Sequence, residues 1–185
     1  NQTSGFSTAT GRQELAAHDQ SNNAIETGVR RLADVELVHV PGAVHEYSNV
    51  NFNILGVMVQ TVSGQTYESY VQEHIFDPLE MSHSFTSQDD AMKGGMASGY
   101  RMWFGTPRPS NIPFNRGNLS SGYLICSGED LAHYLIAQLN DGRYGDVSVL
   151  SPEGVGAMHR AAVHTESPDS YYGMAWYVST LDDGA

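Results

Sequence analysis

Apolar positions along this chain fall into helix-spaced stripes separated by polar, glycine-rich stretches. Phe52, Leu55, Val59 and Val62 recur at steps of three, four and three, with Ile54 and Met58 widening the stripe. That spacing presents one helix face to a core, and Gly64 offers the left-handed residue that ends it. This helix is expected to be largely buried. A second begins at Thr66, with Glu68 near its positive N-terminal end and Tyr70, Val71, His74 and Ile75 along it, before Pro78 stops it. Ser127 and Asp130 make a capping-box-like start for another, carrying Leu131, Tyr134, Leu135 and Leu139 and closing at Asn140, Asp141 and Gly142.

Weaker signals fill the remainder. Residues 1–20 are polar, with scattered apolar positions, and read as loop with one turn of helix. Ile25, Val29 and Leu32 define a short helix that Ser21 or Asn22 caps, and Ser151, Pro152 and Glu153 read as the cap and first turn of another. Between Thr86 and Asn118 the chain is rich in Gly and Pro and shows little period, which predicts a long irregular, functional or mobile segment. Tyr171 to Ser179 is aromatic and β-rich enough for a strand. No partner for it is recognisable, so it is expected to stand alone, with its natural sheet outside this chain.

Composition narrows the function classes. At 185 residues and 40% hydrophobic, the chain is sized for one domain with a core. Nine Lys plus Arg against 21 Asp plus Glu give a net charge of −12, which argues against a nucleic-acid partner. No apolar run approaches the roughly 18 residues that span a bilayer, so the chain reads as soluble. The single Cys126 excludes an internal disulfide and is expected to be a small buried residue. The eight histidines, His45, His74, His83 and His133 among them, lack HExxH spacing, so no metal site is expected. The acid pairs Asp89 with Asp90, Glu129 with Asp130 and Asp182 with Asp183 read as solvated faces or helix caps. A glycine-rich phosphate loop and GxSxG are both missing.

Residues 41–49, PGAVHEYSN, place the phenol of Tyr47 and the amide of Asn49 two positions apart, just before the apolar helix. By themselves these residues also fit a helix start, with Ser48 or Asn49 as the cap and Tyr47 as an apolar anchor.

In company with other segments they resemble the serine β-lactamase and penicillin-binding-protein superfamily, the group of class C β-lactamases, D-alanyl-D-alanine carboxypeptidases and related esterases. NQTSGF at the start is similar to that family's NQTSGL turn, and PGAVHEYSNVNFNILG to its PG, YSN and following helix. VSGQTYESYVQEHIFDPLEMSHSF resembles the helix pair ending in PLGM, with Glu80 where glycine is usual. SSGYLICSGEDLAHYL resembles GGLxSTxxDLxxF, and YGMAWYV resembles the YGLGW strand. The resemblance implies an acyl-enzyme mechanism in which Tyr47 aids proton transfer to or from a nucleophilic serine. It further implies that Asn49 holds a substrate amide and orients the site lysine, that Ser48 is structural, and that Ser121, Gly122 and the loop with Trp103 and Phe104 wall the cleft. It implies no cofactor.

The chain also departs from the pattern. The family's SxxK nucleophile motif and its KTG or HxG motif are absent: Asp90 stands three residues before the only lysine, Lys93, and no histidine is followed two positions later by glycine. Residues 1–185 are therefore read as one partial domain, mainly α, the helical lobe of the β-lactamase/transpeptidase-like fold. A few short strands are expected, with the flanking sheet largely missing. An ordinary phenol is ionised in only about one molecule in a thousand at pH 7. The family's lysines would supply the favourable field, so the isolated chain is expected to be inactive. The alternative is a non-catalytic binding or scaffold module. For a parent enzyme the resemblance implies a small-molecule or peptidoglycan-type substrate and a periplasmic, extracellular or membrane-anchored location. Exposed apolar surface would favour self-association of the chain alone.

Overall fold

The computed structural model describes residues 2–111, 113–167 and 169–179. It is mainly helical: α1 (Thr8–Ala16), α2 (Ala24–Arg30), α3 (Asn49–Ser63), α4 (Tyr67–Val71), α5 (Gln88–Lys93), α6 (Leu119–Gly122), α7 (Gly128–Leu139) and α8 (Pro152–His159). Side-chain caps set many of the starts. Ser7, Thr66, Ser87, Ser127 and Ser151 each accept a backbone N–H from the first turn of the helix that follows. Among the described residues no helix is long and apolar enough to cross a membrane.

Four small antiparallel sheets complete the fold of the described residues. β1 (Ser84–Phe85) pairs with β4 (Ile125–Cys126), β2 (Gly99–Trp103) with β3 (Thr106–Ser110), and β5 (Arg143–Tyr144) with β6 (Val147–Ser148). β7 (Val163–His164), β8 (Ser170–Tyr172) and β9 (Tyr177–Ser179) form a three-stranded sheet in that order. The strand expected to stand alone is thus two strands with a turn between them, Tyr171 opposite Val178, and both its partners lie in this chain. A turn residue at positive φ, Ala175 (66°), had masked the break because alanine is no turn signal.

The described part of the expected irregular segment, residues 86–111 and 113–118, is also structured. It holds α5 and the β2–β3 hairpin, whose two-residue turn, Phe104 and Gly105, has φ of 46° and 76°. Two positive φ values in succession match the right-handed twist of paired strands. Likewise residues 8–16 are a nine-residue helix rather than loop. α1 has no apolar face to read. It is held by polar contacts: Asn115 Nδ2 donates to Leu15 O at 2.7 Å, and the Arg31 guanidinium meets Glu14 at 2.6 Å. α2 starts after Asn23, which makes no side-chain cap bond, so neither Ser21 nor Asn22 is its cap.

α3 ends as its sequence predicts, at Gly64 with φ 72°. Its burial departs from the expectation: of the apolar stripe, Phe52, Ile54 and Val59 are only half-buried. Val50, Asn53 and Gly56 face the protein, whereas Leu55, Met58 and Val62 are 52%, 54% and 86% exposed. The reason is close approach: a Cβ on Gly56 would lie 2.5 Å from Ser120 Oγ, so only the glycine face lets α6 approach this near. The apolar core lies elsewhere, where Val71, Phe76, Leu79, Met81 and Ala137 join α4, the wider turn after it and α7. Glu80, in the usual glycine position, has φ 56° and so carries a side chain in the left-handed region. Cys126 is exposed rather than buried, since β4 is a two-residue edge. Partial desolvation of the sulfur and the nearby Asp130 push its thiol pKa up, away from reactivity.

Candidate functional site

The N-terminal turn is laid against the segment that leads into α3. Val38 N–H donates to Gly5 O at 2.9 Å, Gly42 N–H to Thr3 O at 2.7 Å and Glu46 N–H to Gln2 O at 2.9 Å. Gly5 has φ 92°, and a Cβ there would sit 2.2 Å from His39 O, so both its backbone shape and its contact require glycine.

These contacts tie down the chain on either side of Tyr47. Glu46 Oε1 accepts Thr8 N–H at 2.6 Å, and the Thr8 hydroxyl donates to Tyr47 O at 2.7 Å. Ser48 N–H donates to Gln2 Oε1 at 3.0 Å, and the Ser48 hydroxyl to Ser7 O at 2.9 Å. Gln2 Oε1 also accepts from Asn51 Nδ2. Ser48 is fully enclosed, but Tyr47 remains 39% exposed. With its backbone fixed and its ring open, Tyr47 lines a cleft of about 330 Å³, with Phe52, Ser121, Gly122, Tyr172 and Ala175 among its other walls.

Tyr47, Ser121 and Gly122, which lie far apart in sequence, therefore share one cleft. Asn49 opens α3 against Gly11 and is not among the cleft-lining residues. Trp103 and Phe104 form the exposed tip of the hairpin and do not line the cleft either. Lys93 bonds to Asp90 at 2.9 Å on α5, outside the cleft lining. Among the described residues no three His, Cys, Asp or Glu side chains are placed to hold a metal ion.

A buried amide network supports the far wall. Asn53 Nδ2 donates to Asn118 Oδ1 at 3.0 Å, Asn118 Nδ2 to Glu14 O at 3.3 Å, and the Ser121 hydroxyl to Asn118 O at 3.0 Å. Such amides are well satisfied only when every partner is present, so they hold α1, α3 and α6 in one relation. Sequence reasoning missed Gln2, Asn53, Asn118 and Tyr172. An asparagine inside an apolar helix was the available signal for Asn53, because asparagine disfavours helix interiors unless its side chain has work to do. Tyr172 is 3% exposed, and burial raises its phenol pKa, with Tyr47 adding to the rise. It acts as a neutral wall of the cleft.

A mainly helical chain with a fixed tyrosine at an open cleft is the class that fold and site define. The profile of the Beta-lactamase family matches residues 1–184, and the chain belongs to that family. It is 37% identical over 119 residues to "Protein flp" of Staphylococcus aureus (strain MW2), covering 64% of this chain and 24% of that protein. It is 28% identical over 163 residues to the "Putative D-alanyl-D-alanine carboxypeptidase" of Escherichia coli O157:H7, covering 77% of this chain and 37% of that one. Among solved structures, the octameric penicillin-binding protein homologue from Pyrococcus abyssi superposes with a TM-score of 0.80 at 25% identity, over 95% of this chain and 41% of that one. The chain thus spans about a quarter to two fifths of the length of these relatives, and its fold is part of the β-lactamase/transpeptidase-like fold they share.

Proposed function

We propose that these residues form the tyrosine-bearing side of an acyl-transfer site in a serine hydrolase. In the proposed reaction a serine attacks an amide, ester or lactam carbonyl, and Tyr47 assists the proton transfers that accompany attack and departure. One observation carries the reading: the chain on both sides of Tyr47 is held by hydrogen bonds, the one from Ser48 N–H to Gln2 buried, while the ring itself faces an open cleft. A purely structural anchor would be expected to bury its ring. In this reading Ser121 and Gly122, which share the cleft with Tyr47, line the substrate's path, whereas Asn49, packed against Gly11, has no place in it. The substrate is a small acyl compound or a peptidoglycan-type peptide, a range supported by the name of the Escherichia coli relative.

The SxxK serine and lysine that the reaction requires are not among the 185 residues. The isolated chain is therefore expected to take no covalent label from a fluorescent penicillin, and a stable adduct seen by mass spectrometry overturns that expectation. In a longer protein that supplies SxxK and KTG or HxG, Tyr47→Phe is expected to lower kcat by about 10²-fold or more with a much smaller change in KM. Unchanged kcat removes Tyr47 from the mechanism. A longer protein that has both motifs but neither labels nor turns over substrate favours a non-catalytic binding module.

A further inference from the structure

Tyr47 lines a second crevice, also of about 330 Å³, whose other walls include His45, Glu46, Thr165, Glu166 and Tyr177. No lysine or arginine is among its lining residues. The two carboxylates differ in what they have left to offer. Glu46 is occupied, with one oxygen on Thr8 N–H and the other 3.0 Å from His39 Nε2. Glu166 is exposed and near enough to His45 for its charge to act on that imidazole, but no hydrogen bond or ion pair ties it to another described residue. His45 lines this crevice with its ring 5.2 Å from that of Tyr172, a wall of the first cleft, and its buried Nε2 has no hydrogen-bond partner among the described residues. Burial outweighs the opposing pull of Glu166 and lowers the imidazole pKa, which favours the neutral ring, so His45 adds little positive charge against the acids.

The crevice therefore offers a negative field, a carboxylate free of hydrogen bonds and ion pairs with the described residues, and two phenol rings, one of them the tyrosine assigned to the reaction. An alkylammonium group is the charge this arrangement receives: a carboxylate pairs with it, and the electron-rich faces of tyrosines attract it. A carboxylate-bearing substrate portion would meet the opposite field. We propose that this crevice is a subsite for a primary ammonium group on the substrate, with Glu166 as its counter-ion and the Tyr47 and Tyr177 rings as its walls. This rests on the acyl-transfer reading above and narrows it to substrates that carry a cationic side chain or terminus.

The test uses the full-length protein and two matched pairs of ester substrates. Within each pair the members differ only in a free or an acetylated amine; one pair carries it on the acyl portion and the other on the leaving group. The quantity read is the ratio of kcat/KM for the free amine to that for the acetylated form, and the pair with the larger ratio tells which portion enters the crevice. Glu166→Gln is expected to lower that ratio about fivefold, the size of a partly exposed ion pair, and Glu166→Lys to bring it below one. Ratios that stay within about twofold of wild type in both variants, for both pairs, overturn the subsite. Tyr47→Phe separates the two ideas, because it should slow both members of a pair alike and leave the ratio in place. Should no substrate turn over, the acyl-transfer reading fails, and the subsite is then decided by calorimetric binding of the free amines. Equal affinity in wild type and Glu166→Gln overturns it, and weaker binding in the variant supports it. Because Glu166 is exposed, circular dichroism is expected to show both variants folded.

Discussion

The side-chain carbonyl of Gln2 accepts the backbone N–H of Ser48 at 3.0 Å, across 46 residues of sequence. Gln2 is 4% exposed and sits at φ 58°, so one residue in an uncommon conformation fixes the backbone immediately after Tyr47.

Replacing Gln2 with alanine strands the Ser48 N–H and the Asn51 amide in a buried setting. The expected cost is about 2–3 kcal/mol of stability, the penalty for buried donors left without acceptors. Urea denaturation of the two proteins measures it. A change below about 0.5 kcal/mol would show that Gln2 does not hold this junction.

Asp130 is 2% exposed and accepts His83 N–H at 2.8 Å and the Ser84 hydroxyl at 2.7 Å. It joins β1 to the start of α7. Asp130→Ala is expected to destabilise by about 3 kcal/mol, since two donors lose a charged acceptor, with Asp130→Asn retaining part of the interaction. Thermal melts that rank the three proteins in any other order count against this account.

Glu80 keeps a side chain at φ 56°, where an L-residue is strained by roughly 1 kcal/mol. Glu80→Gly should relieve that strain at the expense of a more flexible unfolded chain, for a net gain of about 0.5 kcal/mol. The contrasting change is Gly142→Ala: φ there is 85° and a new Cβ would lie 2.1 Å from Leu150 O, so a loss of several kcal/mol or failure to fold is expected. Melting temperatures should therefore move in opposite directions at two positions of similar φ.

Acid stability should fall in two windows. Burial lowers the pKa of His45 below its ordinary 6.5, so as pH drops through 6.5 the unfolded chain takes up a proton that the folded chain resists, and stability is lost. Glu46 is held below its ordinary 4.5, first by Thr8 N–H and also by His39. Its contribution is complete above pH 4.5 and is lost as pH falls through the lowered folded value. His45→Phe should flatten only the upper window of a stability-versus-pH curve and Glu46→Gln only the lower. Curves that superpose on wild type would remove these groups from the acid transition.

Signals that act over a few residues were legible. Thr66, Ser127 and Ser151 cap the helices they were expected to cap, and Gly64 ends α3 in the left-handed region. Each is a short-range matter of a hydroxyl reaching a nearby N–H or a residue without Cβ. The tight turn at Phe104 and Gly105 was equally local, but a dense run of Gly and Pro concealed it. The motifs around Tyr47 were legible as family resemblance, and family membership is established for residues 1–184.

What the chain could not reveal in one dimension was which face of α3 meets the protein and which residues share a cleft. Apolar spacing predicted that Leu55, Met58 and Val62 would be buried. The close fit of Gly56 to Ser120 and the Asn53–Asn118 bond turned the other face inward instead. In the same way only the folded chain brings Tyr47 to Ser121 and Gly122, and only the folded chain sets Glu166 beside Tyr47. Sequence by itself determined where helices start and stop, because capping is decided within a turn. Tertiary structure decided orientation and proximity, because those depend on steric fit and hydrogen-bond partners that lie dozens of residues away.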